Sequence, residues 1–356
     1  MKGLKLSKLF FHRVIKPLID ANYPKLNYSA CLIGSGSEVL RYDDNISQDH
    51  HWGPRIMIFL AKDDFITKKE ELKVFFSEKL PYSFQDYPTN WTNPDGGDND
   101  TQLLSSITSG RINHRVELFE TMAYITHQLG VETLDFSFSD WLKIPSQKLL
   151  ALTSGEVFFD SLGTITEIRE KLTFYPKKIR IFLMLSEWNA IAQEVSFPGR
   201  TGMVDDDLGS RIIATRIVKI LMRISFLLEK KYHPYPKWFG TAFNRLNISN
   251  KLIPVLKNVL IADDWHMREK SLVKAYLIII NEMQKQNIIK KVNIKPGTFH
   301  DRPQFILDIE EVIKQIKNNN PEDFEGFLYE IGSINQITNL TDLLEYPERI
   351  KRFFFI

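Results

Sequence analysis

An α+β fold, with a mixed sheet and flanking helices followed by an all-helical C-terminal domain, is predicted by three features of this chain. Strand-like apolar segments at 29–33, 55–60 and 112–119 are confined to its first part. Beyond about residue 150 strand signals fade, and 178–195, 206–231, 248–260, 263–286 and 303–317 repeat apolar residues at helical spacing. The 356 residues exceed the usual size of a single core. Two domains are therefore expected, at 1–150 and 151–356.

The opening segment places Leu6, Phe10, Val14, Ile15 and Leu18 on one face of a helix that ends near Asp20 and Pro24. It lacks the continuous apolar stretch of a secretory signal. The buried strand at 29–33 runs into Gly34-Ser35-Gly36-Ser37, a break that only a turn satisfies. Residues 38–48 read as a short helix or loop, and Gly53-Pro54 suggests an edge or bulge at the start of the strand 55–60. Helical spacing follows over 68–80. The Pro-, Asn-, Asp- and Gly-rich stretch 87–109 reads as a long surface loop.

Composition excludes several classes. Hydrophobic residues make up 43% and charged residues 25%, as in folded globular proteins. A net charge of +2 argues against an extended nucleic-acid groove and against electrostatic capture by a membrane. The longest apolar runs, such as 275–280, are too short to span a bilayer, so no membrane partner is expected. The single cysteine, Cys31, lies in an apolar strand; a packing role and a reducing, cytoplasmic location fit it.

Phosphate binding needs backbone N–H groups exposed on a tight turn, often at a helix N-terminus. GSGSEVL offers such a turn: Gly34 and Gly36 allow close backbone approach, and the Ser35 and Ser37 hydroxyls can donate to phosphate or cap a helix. The bland alternative is a plain Gly/Ser turn. Asp49 follows downstream, and a strand starting there would put Asp49 and His51 on one face. Acidic side chains in such a place hold divalent cations that bridge triphosphate oxygens. Glu117, alternating with Val116 and Leu118, is the third candidate. It reads either as a metal ligand or catalytic base facing Asp49, or as a solvated edge-strand glutamate.

Gly34-Ser35 followed by an acidic residue before an apolar strand is similar to the signature of DNA polymerase β-like nucleotidyltransferases. More closely, IGSGSEVLRYDDNISQDHHWGPR resembles the bacterial family called domain of unknown function 4037. The likeness continues through DWLKIPSQKLLALTSGEVFFD, FPGRTGMVDDDLGS, YHPYPKWFGTAF, FHDRPQFI and IGSINQ. That resemblance implies a nucleotidyltransferase-like domain followed by a helical one, with a nucleotide held between them. It also implies a departure: the family reads Asp-His-Asp-Trp-Gly-Pro where this chain has Asp49-His50-His51-Trp52-Gly53-Pro54.

In the helical half, Arg216, Lys219 and Arg223 line one side of 206–231, either as a solvated basic face or as a phosphate-contacting wall. Asp205, Asp206 and Asp207 read as helix N-terminal acids. Residues 232–238, YHPYPKW, read as packing under a helix junction or as a base-stacking surface. Arg302 follows His300 and Asp301 at a helix-entry turn, where it pairs with an acidic ligand or within the structure.

The functional expectation is metal-dependent transfer of a nucleoside monophosphate from an NTP to a hydroxyl of an unknown acceptor. Asp49 and Glu117 are the catalytic candidates, and Asp49, His51 and Glu117 the Mg²⁺ or Mn²⁺ ligands. Gly34, Ser35, Ser37, Arg216 and Lys219 are the nucleotide contacts. The alternatives are a catalytically degenerate nucleotide-binding or regulatory module of the same fold, and a partner-binding protein in which GSGS is only a turn.

Overall fold

A computed structural model of the chain describes residues 1–44, 46, 52–97, 100–291, 294–298, 302–320 and 331–354. The chain forms two compact units, each assembled from separated segments. The first comprises Met1–Asp135, Lys148–Thr173 and Tyr346–Ile356; the second comprises Phe136–Gln147 and Phe174–Glu345. A single cut at residue 150 thus does not describe the division, because a strand that follows it pairs into the N-terminal sheet.

That sheet has the order β5-β2-β1-β6. It consists of β1 (Tyr28–Leu32), β2 (Arg55–Leu60), β5 (Arg115–Glu120) and β6 (Glu156–Asp160). The β2–β5 pair is parallel and the other two pairs are antiparallel, which makes the sheet mixed. Gly53-Pro54 precedes an interior strand rather than an edge; β2 begins directly after the proline, so the missing N–H falls outside the ladder. The strand β6 lies where strand signals were expected to fade. Its five residues, EVFFD, are too few to display a period, and only their pairing with β1 makes them a strand.

Alternation divides the sheet into two faces. Ala30, Ile56, Ile58, Leu60 and Val116 turn to one side, with Leu118 packed beside them. The opening helix covers this side with Leu6, Phe10, Phe11, Ile15 and Ile19. It runs as α1 (Gly3–Phe10), a π-helical turn (Phe11–Ile15) and α2 (Lys16–Asn22). Helix α3 (Lys62–Lys79) adds Leu72 and Phe76. The opposite face carries Cys31, Met57 and Glu117 in one row and Arg55 beside Arg115 in the next. Cys31 is fully buried, and burial pushes its thiol pKa up, in keeping with a packing role.

The stretch 87–109 is not a simple surface loop. The two-residue strands β3 (Ser83–Phe84) and β4 (Tyr87–Pro88) pair, and Trp91 bridges to Leu104. Trp91 is only 2% exposed, and the Arg115 guanidinium lies 5.4 Å from its ring centre. One buried indole anchors a sequence that composition marks as loop. After β5, α4 (Thr121–Leu129) is capped by Glu120, whose carboxylate accepts from Met122 N and Ala123 N.

Helices α5 (Phe138–Lys143), α6 (Ser146–Thr153) and α7 (Thr164–Lys171) follow. In the second unit α8 (Lys177–Glu194) is buried on nearly all sides over its middle, where Arg180 and Glu187 are buried among apolar residues. Around it come α9 (Phe197–Gly202), α10 (Asp207–Leu228), α11 (Pro236–Phe243), α12 (Ser249–Ile261), α13 (Trp265–Lys285) and α14 (Ile309–Asn319). Of these, α8, α10, α12 and α13 match predicted helices to within a few residues, α9 and α11 lie in stretches not predicted as helices, and α14 starts six residues late. Phe305–Leu307 (β8) instead pairs with Pro296–Thr298 (β7), a hairpin inside the half expected to be all-helical. Asp308 then caps α14 by accepting from Glu311 N. Among the described residues no helix is long and apolar enough to cross a membrane.

Candidate functional site

The turn after β1 owes its shape to two glycines. Gly34 has φ 86° and Gly36 φ 132°, both in the region that L side chains rarely adopt. A Cβ on Gly34 would sit 2.8 Å from the Tyr124 hydroxyl, and one on Gly36 2.7 Å from Arg55 Nη2. Gly34 N is tied to Ala151 O at 2.9 Å. No helix follows. Residues 37–41 form successive turns closed by Tyr42 N donating to Ser37 O at 2.8 Å, so the expected helix N-terminus is absent there.

Arg55 locks this turn to the sheet. It opens β2, is 4% exposed, and donates from Nε and Nη2 to Glu38 Oε1 at 2.9 and 2.6 Å. Its Nη2 also donates to Ser35 O at 2.9 Å. Burial works against the Arg55 charge, yet Glu38 and then Glu117 outweigh it and hold the guanidinium above its ordinary value. Sequence reasoning missed both Arg55 and Glu38. The available signal was an arginine at the head of an otherwise wholly apolar strand, RIMIFL.

Glu117 stands on the same face, opposite Met57 in the parallel register. Val116 and Leu118 point into the apolar layer as alternation requires. The Glu117 carboxylate is half-buried, and Oε1 accepts from Arg115 Nη2 at 3.1 Å. Arg115 Nη1 donates to Gln102 Oε1 at 3.1 Å. Burial lowers the Arg115 pKa, Glu117 opposes this, and the neighbouring Arg55 adds to it. Arg55, Arg115 and Glu117 are thus one coupled group beside a glycine turn. Such a surface suits an anionic ligand that the Arg115 guanidinium and the turn amides after Gly34 can meet, with Arg55 buried behind them.

Asp49 and His51 lie outside the described residues, as do His300 and Asp301. Among the described residues no group of three or more His, Cys, Asp or Glu is placed to hold a metal ion. Glu117 contributes the kind of hard oxygen donor that Mg²⁺ and Mn²⁺ take, and its contact with Arg115 engages Oε1.

Arg216 and Lys219 belong to the second unit, where each has a local partner. Arg216 Nη2 pairs with Glu194 Oε1 at 2.5 Å, and Lys219 Nζ donates to the Asn339 side-chain oxygen. Arg223 does not share a solvated basic face with them. It is buried, and its Nη2 pairs with Glu187 Oε2 at 2.8 Å. Asp206 caps α10 through Gly209 N at 2.8 Å, and Asp207 binds Arg211 and Arg268. Residues 232–239 pack as an aromatic junction, with Tyr232 against Phe174 and Tyr175.

Comparison with curated proteins gives no match. Among solved structures, the chain is similar to a nucleotidyltransferase-like protein from Exiguobacterium sibiricum 255-15. The TM-score is 0.32 and the identity 9%, with 88% of this chain and 90% of that one covered. The sequence model of the family described as Domain of unknown function (DUF4037) matches residues 141–239. Residues 141–239 of this chain are therefore similar to DUF4037, the family whose motifs its sequence resembles.

Proposed function

We propose that the first unit binds a nucleoside triphosphate at the 34–37 turn and transfers its nucleoside monophosphate to a hydroxyl of an acceptor. The observation that carries this reading is the glycine turn locked by Arg55 and Glu38 beside Glu117 and Arg115. The turn amides after Gly34, whose own N–H is held by Ala151 O, and the Ser35 and Ser37 hydroxyls would hold phosphate oxygens, with Arg55 fixing the turn from beneath. Glu117 would hold Mg²⁺ or Mn²⁺ together with Asp49 and His51. When bound, that metal supplies charge neutralisation at the phosphates and activation of the attacking hydroxyl.

A second reading, a nucleotide-binding module without turnover, is favoured by the Arg115 contact to Glu117. That contact occupies Oε1, one of the two carboxylate oxygens that a metal or an acceptor proton would use.

Two measurements separate the readings. Mg²⁺- or Mn²⁺-NTP should raise the melting temperature of the wild type, since a ligand of the native state stabilises it. Ser35→Ala combined with Ser37→Ala should remove most of that gain. Pyrophosphate release that disappears in Glu117→Gln supports transfer, whereas stabilisation without release supports the silent module. No thermal shift with any of the four ribonucleoside triphosphates rules out both.

His51 gives a further expected result. Imidazole suits metals softer than Mg²⁺, and it lacks the negative charge that a carboxylate carries in the related motif. His51→Asp should therefore increase Mg²⁺-dependent pyrophosphate release relative to Mn²⁺. An unchanged metal preference in an active protein would remove His51 from the metal set.

A further inference from the structure

In the second unit, three stretches far apart in sequence meet around one small cavity. A hydrogen-bonded frame joins them. Ser146 N donates to Asn335 Oδ1 at 2.9 Å, and Ser146 Oγ donates to His233 O at 3.0 Å while accepting from His233 N at 2.9 Å. Arg223 Nη1 donates to Asn335 O at 3.0 Å, and Arg223 Nη2 to Glu187 Oε2 at 2.8 Å. Ser146, Glu187, Arg223 and Asn335 are all buried, so the frame is fixed before any ligand arrives. The cavity measures about 100 Å³; of the frame it is lined by Arg223, His233 and Asn335, and Lys219, Pro234 and Phe239 add to its wall. Ordinary ligand clefts begin at roughly 300 Å³, so this one takes a single head group rather than a nucleotide.

The wall is cationic. The Arg223 charge is met by Glu187, but its Nε is buried with no hydrogen-bond partner. Lys219 donates to the neutral Asn339 side chain, and among the described residues no carboxylate forms an ion pair with it. The His233 ring is held between Phe226 and Phe239, at centroid distances of 5.9 and 5.4 Å. Its Nδ1 faces Pro234 O at 3.2 Å. A carbonyl can only accept, which assigns the proton to Nδ1 and leaves Nε2 as an acceptor. Burial, joined by Arg223 and Lys219 and opposed by the Pro234 carbonyl, pushes the His233 pKa down to about 4. Burial and Arg223 also lower Lys219, with Glu187 opposing.

We propose that this cavity is a small-oxyanion site, taking a carboxylate or phosphate head group on Lys219 and Arg223 against the His233 ring. All three residues fall inside the 141–239 segment. The site is independent of the 34–37 turn, and its test uses a local probe so that the two are not confused.

The experiment compares sodium phosphate and sodium acetate with sodium chloride at matched ionic strength. In the full-length wild type at neutral pH, phosphate, acetate or both should raise the melting temperature over chloride and shift the His233 ring NMR signals saturably. Phosphate alone identifies a phosphate ligand, and acetate alone a carboxylate. Lys219→Met should weaken the binding read at His233 at least about tenfold, the scale of one charge-assisted hydrogen bond. The proposal is overturned if neither anion moves the His233 signals of the wild type. Unchanged affinity in Lys219→Met overturns it as well. Should Lys219→Met fold poorly, Lys219→Gln and the wild-type His233 titration decide the matter.

Discussion

Glu38→Ala is expected to destabilise the first unit by about 3–5 kcal/mol, the usual cost of removing one partner of a buried ion pair. The variant strips the Arg55 guanidinium of its only acid partner among the described ion pairs, at a site where Arg55 is 4% exposed. Arg55 also holds the Ser35 carbonyl, so the loss reaches the turn itself. Hydrogen exchange at the β1 and β2 amides should quicken accordingly, and any NTP-dependent stabilisation should weaken. Glu38→Gln, which keeps an acceptor, should lose less. Replacing both residues by apolar ones of similar volume should restore much of the stability while leaving the turn unanchored, because the pair's worth lies in position rather than in net energy. Unaltered amide protection in Glu38→Ala would show that the pair does not hold the turn.

The second large effect concerns Glu269 on α13. This residue is 2% exposed; its Oε2 accepts from Phe305 N at 2.8 Å, while Oε1 is buried without a hydrogen-bond partner. Burial raises its pKa from 4.5 to about 7, with the Phe305 hydrogen bond opposing. An acid whose folded pKa is raised binds its proton more tightly in the native state. Its contribution is therefore complete below about pH 4.5 and is lost as pH rises to about 7, beyond which it is constant. The interval corresponds to about 3 kcal/mol. Glu269→Gln keeps the acceptor for Phe305 N but cannot ionise. It should match the wild type at pH 4, exceed it by up to about 3 kcal/mol at pH 8, and flatten the difference curve between. Denaturant unfolding at several pH values reads this directly. Parallel curves for the two proteins would mean that Glu269 ionises without penalty.

Glu269 also ties one of the sequence motifs, FHDRPQFI, to α13. Its bond to Phe305 fixes β8 against α13, beside Gln304, which is itself fully buried. Nothing in the run of residues 265–285 distinguishes this glutamate from the half-buried Glu282.

What the sequence determined by itself is local. The ranges of β2 and of the long helices α8, α10, α12 and α13 follow from apolar spacing. The turn after β1 follows from glycines that alone adopt its φ values. The alternation of Val116, Glu117 and Leu118 follows from the pleat. Asp206 and Asp207 at the start of α10 follow from the donors a helix N-terminus leaves unmet. Tertiary structure alone decided the rest. EVFFD became a strand only because β1 offered it an edge, and Trp91 turned a polar loop inward by filling space beside Gly53 and Leu104. Arg223 reads from sequence as a solvated residue of a basic stripe, yet it is buried between Glu187 and the Asn335 carbonyl. Arg55 meets Glu38 across 17 residues, and Ser146 meets Asn335 across 189. The physical reason is common to all of these. Backbone conformation answers to neighbours in the chain, whereas burial, ion pairing and pKa answer to neighbours in space.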